Sequence, residues 1–116
     1  MIGIDILKID RIADFAKRHS GKLTRVFTHS ELQYYVDNGQ KPQTLAGFFC
    51  AKESFLKALG VGLKGVKLVD ICVGHNANGQ PCLTLSDNAS KLLANRQPHI
   101  SISHTDDTAV AVCILI

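Results

Sequence analysis

No C-x-x-C pair occurs in this chain, although it carries four cysteines, Cys50, Cys72, Cys82 and Cys113. Structural zinc sites and small disulfide scaffolds rest on such spacings, so the cysteines read as small, reduced core residues. A phosphate-cradling glycine loop is missing too: Gly60, Gly62 and Gly65 follow a helical pattern instead of opening one, and match neither the Walker nor the dinucleotide fingerprint. Nor is there a G-x-S-x-G elbow. Ser103, His104, Asp106 and Asp107 are sequence neighbours, whereas the members of a hydrolase triad are gathered by the fold, so a serine hydrolase is discounted. Asp5, Lys8 and Asp10 interrupt the N-terminal MIGIDILKID before a signal h-region or membrane span can form. Repeats and low-complexity linkers are absent as well. For 116 residues the expectation is one domain over 1–116, in the cytoplasm and with no membrane partner. Lys and Arg total 13 against 10 for Asp and Glu, and a net charge of +3 favours acidic or phosphorylated partners without demanding nucleic acid.

What the chain does have is an unusual helix. Ten of the fourteen residues from Leu45 to Ala58 are apolar or glycine, and the only charges there, Lys52, Glu53 and Lys57, sit together in FFCAKESFLKALG. A helix apolar nearly all round is buried, and a carboxylate between two ammonium groups inside it is costly unless a metal, a phosphate or partner charges compensate it. Pro42 suits a first turn and Gly60 a left-handed C-cap. Glu53 and Lys57 are four apart and share one face, the acid N-terminal to the amine.

Around that helix the patterns alternate. Ile2, Ile4 and Ile6 alternate with Gly3, Asp5 and Leu7, which predicts a first strand with Asp5 on the face opposite the isoleucines. Ile9, Ile12, Ala13 and Ala16 recur at helical spacing and lead into the basic stretch Lys17, Arg18, His19, Lys22 and Arg25. Thr28 and Glu31 match a capping box before a short helix from about Ser30 to Val36. A strand is expected over Val66–Val73, a turn over Asn76–Gly79 and a second strand over Pro81–Leu85, together a β-hairpin. Ser86 can cap a helix reaching roughly to Asn95, and His99–Ser103 and Ala109–Ile116 read as two last strands. Hairpins without regular βαβ alternation imply an α+β fold with a largely antiparallel sheet.

Polar residues in apolar settings mark the candidate chemistry: Asp5 in the first strand, Lys52, Glu53 and Lys57 in the long helix, and Ser101, Ser103 and His104 near the end. Two carboxylates from different elements, Asp5 and Glu53, suit a hard divalent cation such as magnesium, whose shell is completed by water and substrate phosphates.

Three motifs in order carry a resemblance. Gly3-Ile4-Asp5-Ile6 with Arg11-Ile12, then Leu45-Ala46-Gly47, Phe49, Ala51-Lys52-Glu53, Phe55 and Lys57-Ala58-Leu59-Gly60, then Ser101-Ile102-Ser103-His104-Thr105, together resemble the bacterial holo-acyl carrier protein synthases over almost the whole chain. The resemblance implies a 4′-phosphopantetheinyl transferase fold and a magnesium-dependent enzyme that moves the phosphopantetheine arm of coenzyme A to a serine of acyl carrier protein. It implies Asp5 and Glu53 as metal ligands, with Glu53 helping, directly or through a water, to deprotonate the serine. Lys57 is then the cation that neutralises charge on the transferring phosphate, in keeping with phosphoryl transfer as positioning plus electrostatics. The implied coenzyme-binding set is Lys52, Lys57, Gly60, Ser103 and His104, with His104 near the ribose phosphate. Trimers with active sites between subunits are the family's usual assembly, and Arg11, Arg18, Lys22 and Arg25 would meet the acidic recognition helix of the carrier.

Three positions depart from the family pattern. Phe48 stands where many relatives have an arginine, which removes one coenzyme-phosphate contact; Lys8 stands where an acid is common and adds a cation near the metal strand; Cys50 replaces an alanine. Neither Phe48 nor Lys8 touches Asp5, Glu53 or Lys57. The alternative reading is a non-catalytic module that binds carrier protein or coenzyme with a degraded metal site, and the presence of those three residues argues against it.

Overall fold

One helix, α3 (Pro42–Leu59), organises the architecture seen in a computed structural model, which describes residues 1–62 and 65–116. Its ends form as the residue types dictate. Lys41 is an extended N-cap, Pro42 occupies the first turn, and Gly60 takes the left-handed conformation at φ 75°, donating its N–H to Leu56 O at 3.0 Å. Twelve of the eighteen residues are buried, including Leu45, Cys50, Ala51 and Phe55 with no exposure at all.

The helix lies on a three-stranded antiparallel sheet made of β1 (Ile2–Lys8), β4 (Pro98–His104) and β5 (Thr108–Leu115), in the order β1-β5-β4. The register sets Asp5 beside Ala111 and Ala111 beside Ile102. A separate hairpin, β2 (Ile71–His75) with β3 (Pro81–Leu85), closes through a turn in which Asn76 Oδ1 accepts from the N–H groups of Asn78 and Gln80. Helices α1 (Ile9–Arg18), α2 (His29–Asp37) and the single turn α4 (Asp87–Ser90) complete the set, with 3-10 turns at Ser20–Arg25 and Leu68–Asp70. This is the α+β, antiparallel architecture expected from the patterns.

Gly3 determines how closely sheet and helix approach. A Cβ there would lie 2.1 Å from Ser54 O and 2.5 Å from Ala58 N, so the backbone of β1 rests directly on the backbone of α3. The period-two rhythm of β1 holds, with Gly3 and Leu7 buried and Asp5 half-buried against α3. Its isoleucine face is the open one: Ile2, Ile4 and Ile6 are 67%, 60% and 69% exposed.

Three expectations are corrected. The β2 strand starts at Ile71, not Val66: Val66 is buried without strand pairing, and the 3-10 turn that follows is held by the Asp70 carboxylate accepting the Lys67 N–H at 2.8 Å. Ser86 caps its helix as expected, yet that helix is one turn long: past Ser90 the ladder tightens to three-residue turns, with Leu92 N–H on Ala89 O and Leu93 N–H on Ser90 O, before Ala94 and Asn95 adopt φ of 51° and 68°. Finally, Cys50 and Cys113 are core residues but Cys72 is half-buried and Cys82 exposed, since both lie on the thinly covered hairpin.

Candidate active site on the central helix

The close contact at Gly3 carries Asp5, two residues along the same face, over the C-terminal half of α3. Lys57 Nζ donates to Asp5 Oδ1 and to Ile4 O, each at 3.0 Å. The ammonium stays open to solvent, its side chain 55% exposed, while the Asp5 carboxylate is 15% exposed. Glu53, one turn before Lys57, is half-buried. Burial pushes its carboxyl above the ordinary range; the nearby Asp5 charge adds to the rise and Lys57 opposes it. Cys50 lies beneath this group, fully buried, with burial and the Asp5 carboxylate pushing its thiol up to about 12, so it stays protonated and apolar in character.

The expected trio Asp5, Glu53 and Lys57 is therefore brought together from β1 and α3, with a raised carboxyl able to accept a proton and an open ammonium able to meet an anion. No cluster of three His, Cys, Asp or Glu side chains suited to a metal occurs among the described residues. Two hard oxygen donors with an open side fit a cation that keeps most of its shell for water and phosphate oxygens, which is the habit of magnesium and not of structural zinc.

Lys52 is corrected. It was expected on the coenzyme, but it points to the opposite side of α3 and has no exposed surface. Its ammonium donates to Glu31 Oε1 at 2.6 Å, Val26 O at 2.6 Å and Leu68 O at 3.1 Å, and lies 5.4 Å from the centre of the Phe27 ring. Burial pushes this ammonium down and Glu31 holds it up. All three donor positions are occupied, so none remains for a phosphate. The mirror of that correction is Glu31, read from sequence only as a capping residue. The structure buries it completely, with Thr28 N–H and Lys52 on Oε1 and Val73 N–H on Oε2. The signal was available: a lysine inside an apolar helix requires a buried acid elsewhere.

His104 and Ser103 are exposed at the end of β4, and Gly60 is exposed at the end of α3. His104 borders a cleft of about 690 Å³ together with Lys41, Phe48, His75 and Pro81. In it the Tyr34 and His75 rings stack at 4.5 Å between centres, with Phe48 tilted against both, so one of the three departing residues lies in the wall of the cleft. This cleft borders the N-terminal half of α3, and its wall residue Phe48 is about 8 Å along the helix from Glu53 and about 14 Å from Lys57 at 1.5 Å per residue. Arg11, Arg18, Lys22 and Arg25 are exposed on α1 and the 3-10 turn after it, where Arg18 pairs with Asp14 at 2.9 Å.

Comparison with known proteins gives this geometry its context. The family model for the 4′-phosphopantetheinyl transferase superfamily matches residues 1–113. Holo-[acyl-carrier-protein] synthases of Clostridium kluyveri and Alkaliphilus oremlandii are 36% and 39% identical to this chain, covering 98% and 99% of it and 87% and 97% of their own lengths. The crystal structure of Helicobacter pylori holo-[acyl-carrier-protein] synthase in complex with coenzyme A matches with a TM-score of 0.88 at 36% identity over 100% of both chains. That of the Neisseria meningitidis synthase matches with a TM-score of 0.90 at 32% identity, over 99% of this chain and 96% of its own. Sequence and fold agree along the whole length, and the chain belongs to the 4′-phosphopantetheinyl transferase superfamily.

Proposed function

We propose that this chain is a holo-acyl carrier protein synthase, which transfers the 4′-phosphopantetheine arm of coenzyme A to a serine of acyl carrier protein and converts apo to holo carrier for fatty acid biosynthesis. The observation that carries the reading is the Asp5–Glu53–Lys57 group on a frame shared end to end with such synthases. The serine oxygen forms a bond to the phosphorus of the phosphopantetheine, the pyrophosphate P–O bond breaks, and adenosine 3′,5′-bisphosphate leaves. Glu53 takes the serine proton, a task suited to a carboxyl raised by burial. Lys57, open to solvent, meets the negative charge of the phosphate. Asp5 and Glu53 would hold a magnesium ion, which supplies charge neutralisation to the phosphates when bound.

The separate cleft bordered by His104 suits the nucleotide end of the coenzyme, with Lys41 and the aromatic walls facing it. The open face of the sheet supports an active site shared between subunits: Ile2, Ile4 and Ile6 are exposed beside Ile114, an apolar patch of the kind that closes on another copy, as a homotrimer would do. Arg11, Arg18, Lys22 and Arg25 form the docking surface for the acidic carrier. No helix among the described residues is long and apolar enough to cross a membrane, and the four unpaired cysteines suit the reducing cytoplasm that we take as its location.

Incubation with apo acyl carrier protein, coenzyme A and magnesium, followed by intact mass measurement of the carrier, tests the activity. The expected outcome is a carrier heavier by one phosphopantetheine, with no conversion once magnesium is chelated. An unmodified carrier at saturating substrates rejects the proposal. Light scattering under the same conditions should give a trimer, and full activity from a monomer would reject the shared site.

A further inference from the structure

The buried pair Glu31–Lys52 does more than fill the core. We propose that Lys52, held by Glu31, is a positioning residue that fixes the basic segment Ser20–Arg25 against α3 and thereby sets how the acyl carrier protein docks. This rests on the docking role given above to Arg18, Lys22 and Arg25.

Ser20–Arg25 is a 3-10 turn with no fully buried residue; it carries Lys22 and Arg25, and Leu23 alone reaches the core, half-buried. Its C-terminal end is tied down at two adjacent points: the Phe27 side chain, 1% exposed in the core, and the Val26 carbonyl, which accepts the Lys52 ammonium at 2.6 Å. Apolar burial at Phe27 is non-directional and anchors without orienting. A charge-assisted hydrogen bond to one carbonyl is directional, and this one lies a single residue beyond Arg25.

Glu31 makes that ammonium immobile. Its two oxygens accept from Lys52, from Thr28 N–H at 2.8 Å and from Val73 N–H at 2.7 Å, so the start of α2, strand β2 and α3 are all fixed to one carboxylate. The third hydrogen bond of Lys52, to Leu68 O, ties the 3-10 turn Leu68–Asp70, another element with no buried residue. By contrast, α3 is held by Leu45, Ala46, Cys50, Ala51 and Phe55, all fully buried. Removing the pair should therefore release the light segments and leave Glu53 and Lys57 where they are.

The test is the double variant Glu31→Leu/Lys52→Met, which removes both charges together and avoids stranding one in the core. Expected are a cooperative thermal transition, faster amide exchange over residues 20–28, and a rise of about tenfold in KM for the carrier, since docking charges act on encounter and register. KM for coenzyme A and kcat at saturation should change less than about twofold, because the phosphate site keeps its residues. Should the double variant fail to fold, Glu31→Gln/Lys52→Met also removes both charges and keeps one amide oxygen as an acceptor for Val73 N–H; the same changes in exchange and carrier KM are expected. A folded variant with unchanged carrier KM and unchanged exchange overturns the proposal, as does a fall in kcat alone, which would assign the pair to α3. Arg25→Glu separates the two levels: if it leaves carrier KM unaltered, the docking reading fails, and exchange over 20–28 alone then decides the anchoring.

Discussion

Lys52 and Lys57 stand five residues apart on the same helix and each meets a carboxylate, yet the two pairs live in different media. Lys52–Glu31 closes at 2.6 Å with neither side chain exposed; Lys57–Asp5 closes at 3.0 Å with the ammonium 55% exposed. In the first, every hydrogen-bonding position of the ammonium is taken by protein atoms, so the pair can only hold structure. In the second, the ammonium keeps one donor for an incoming anion and the acid lies near Glu53, so the pair can exchange partners. Burial, and not residue type, separates scaffold from chemistry along α3.

The largest expected effect lies on the open side. Asp5→Ala or Glu53→Ala should lower turnover by about 10²–10⁴-fold, the range expected when a proton acceptor or an electrostatic stabiliser is removed, with the melting temperature little changed. Steady-state assays at saturating coenzyme A and carrier measure this, and near-normal rates for either variant at low magnesium would erase the contrast between the two pairs.

Next comes stability on the closed side. Lys52→Met strands the Glu31 carboxylate in the core and should cost about 3–5 kcal/mol. Lys57→Met removes a pair largely screened by solvent and should cost no more than about 1 kcal/mol. Denaturant titration of both variants side by side sharpens the comparison directly, and equal losses would show that the two pairs do not differ in kind.

Gly3 tests what places Asp5. With Ser54 O only 2.1 Å from an added Cβ, Gly3→Ala must push β1 off α3, at about 1–3 kcal/mol of overpacking. Its turnover should fall further than its stability predicts, because Asp5 moves with the strand. A variant that loses stability and keeps turnover would separate Asp5 from the contact at Gly3.

The smallest effect is a titration. Burial first, and Asp5 second, raise the Glu53 carboxyl in the metal-free protein, so Asp5→Asn should bring it part of the way down, as followed by NMR of the side-chain carbon. The sign for stability follows. A folded value above the unfolded one means that folding favours the protonated acid; this contribution is complete below the unfolded carboxylate value and disappears as pH rises through the raised folded one. Asp5→Asn should shrink that loss, and an unmoved Glu53 would assign the whole shift to burial.

Much of this was legible before any fold was known. Pro42 and Gly60 bound α3 as their backbone preferences require, and Thr28 with Glu31 forms the capping box expected of them. The turn at Asn76–Gly79 sits where Asx chemistry places it. Elements that differ are those whose limits are not written in local pattern: Val66 is β-branched but packs in the core without a strand partner, and the helix after Ser86 gives way past Ser90 to three-residue turns. Lys52 went wrong for a related reason. In FFCAKES it is a cation beside a candidate acid, and nothing local says that its carboxylate lies 21 residues earlier.

The sequence by itself determined the local elements and the three residue types that chemistry needs, because caps, periodicity and turn chemistry act within a few residues and are written along the chain. Tertiary structure alone decided which charged residue of the helix faces a buried acid and which faces water. It also decided that the isoleucines of β1 form an open face while Asp5 turns inward, through the backbone contact of Gly3 with α3. Both are questions of what lies across the core from a side chain, and the energy of a charge depends on that medium far more than on its neighbours in sequence.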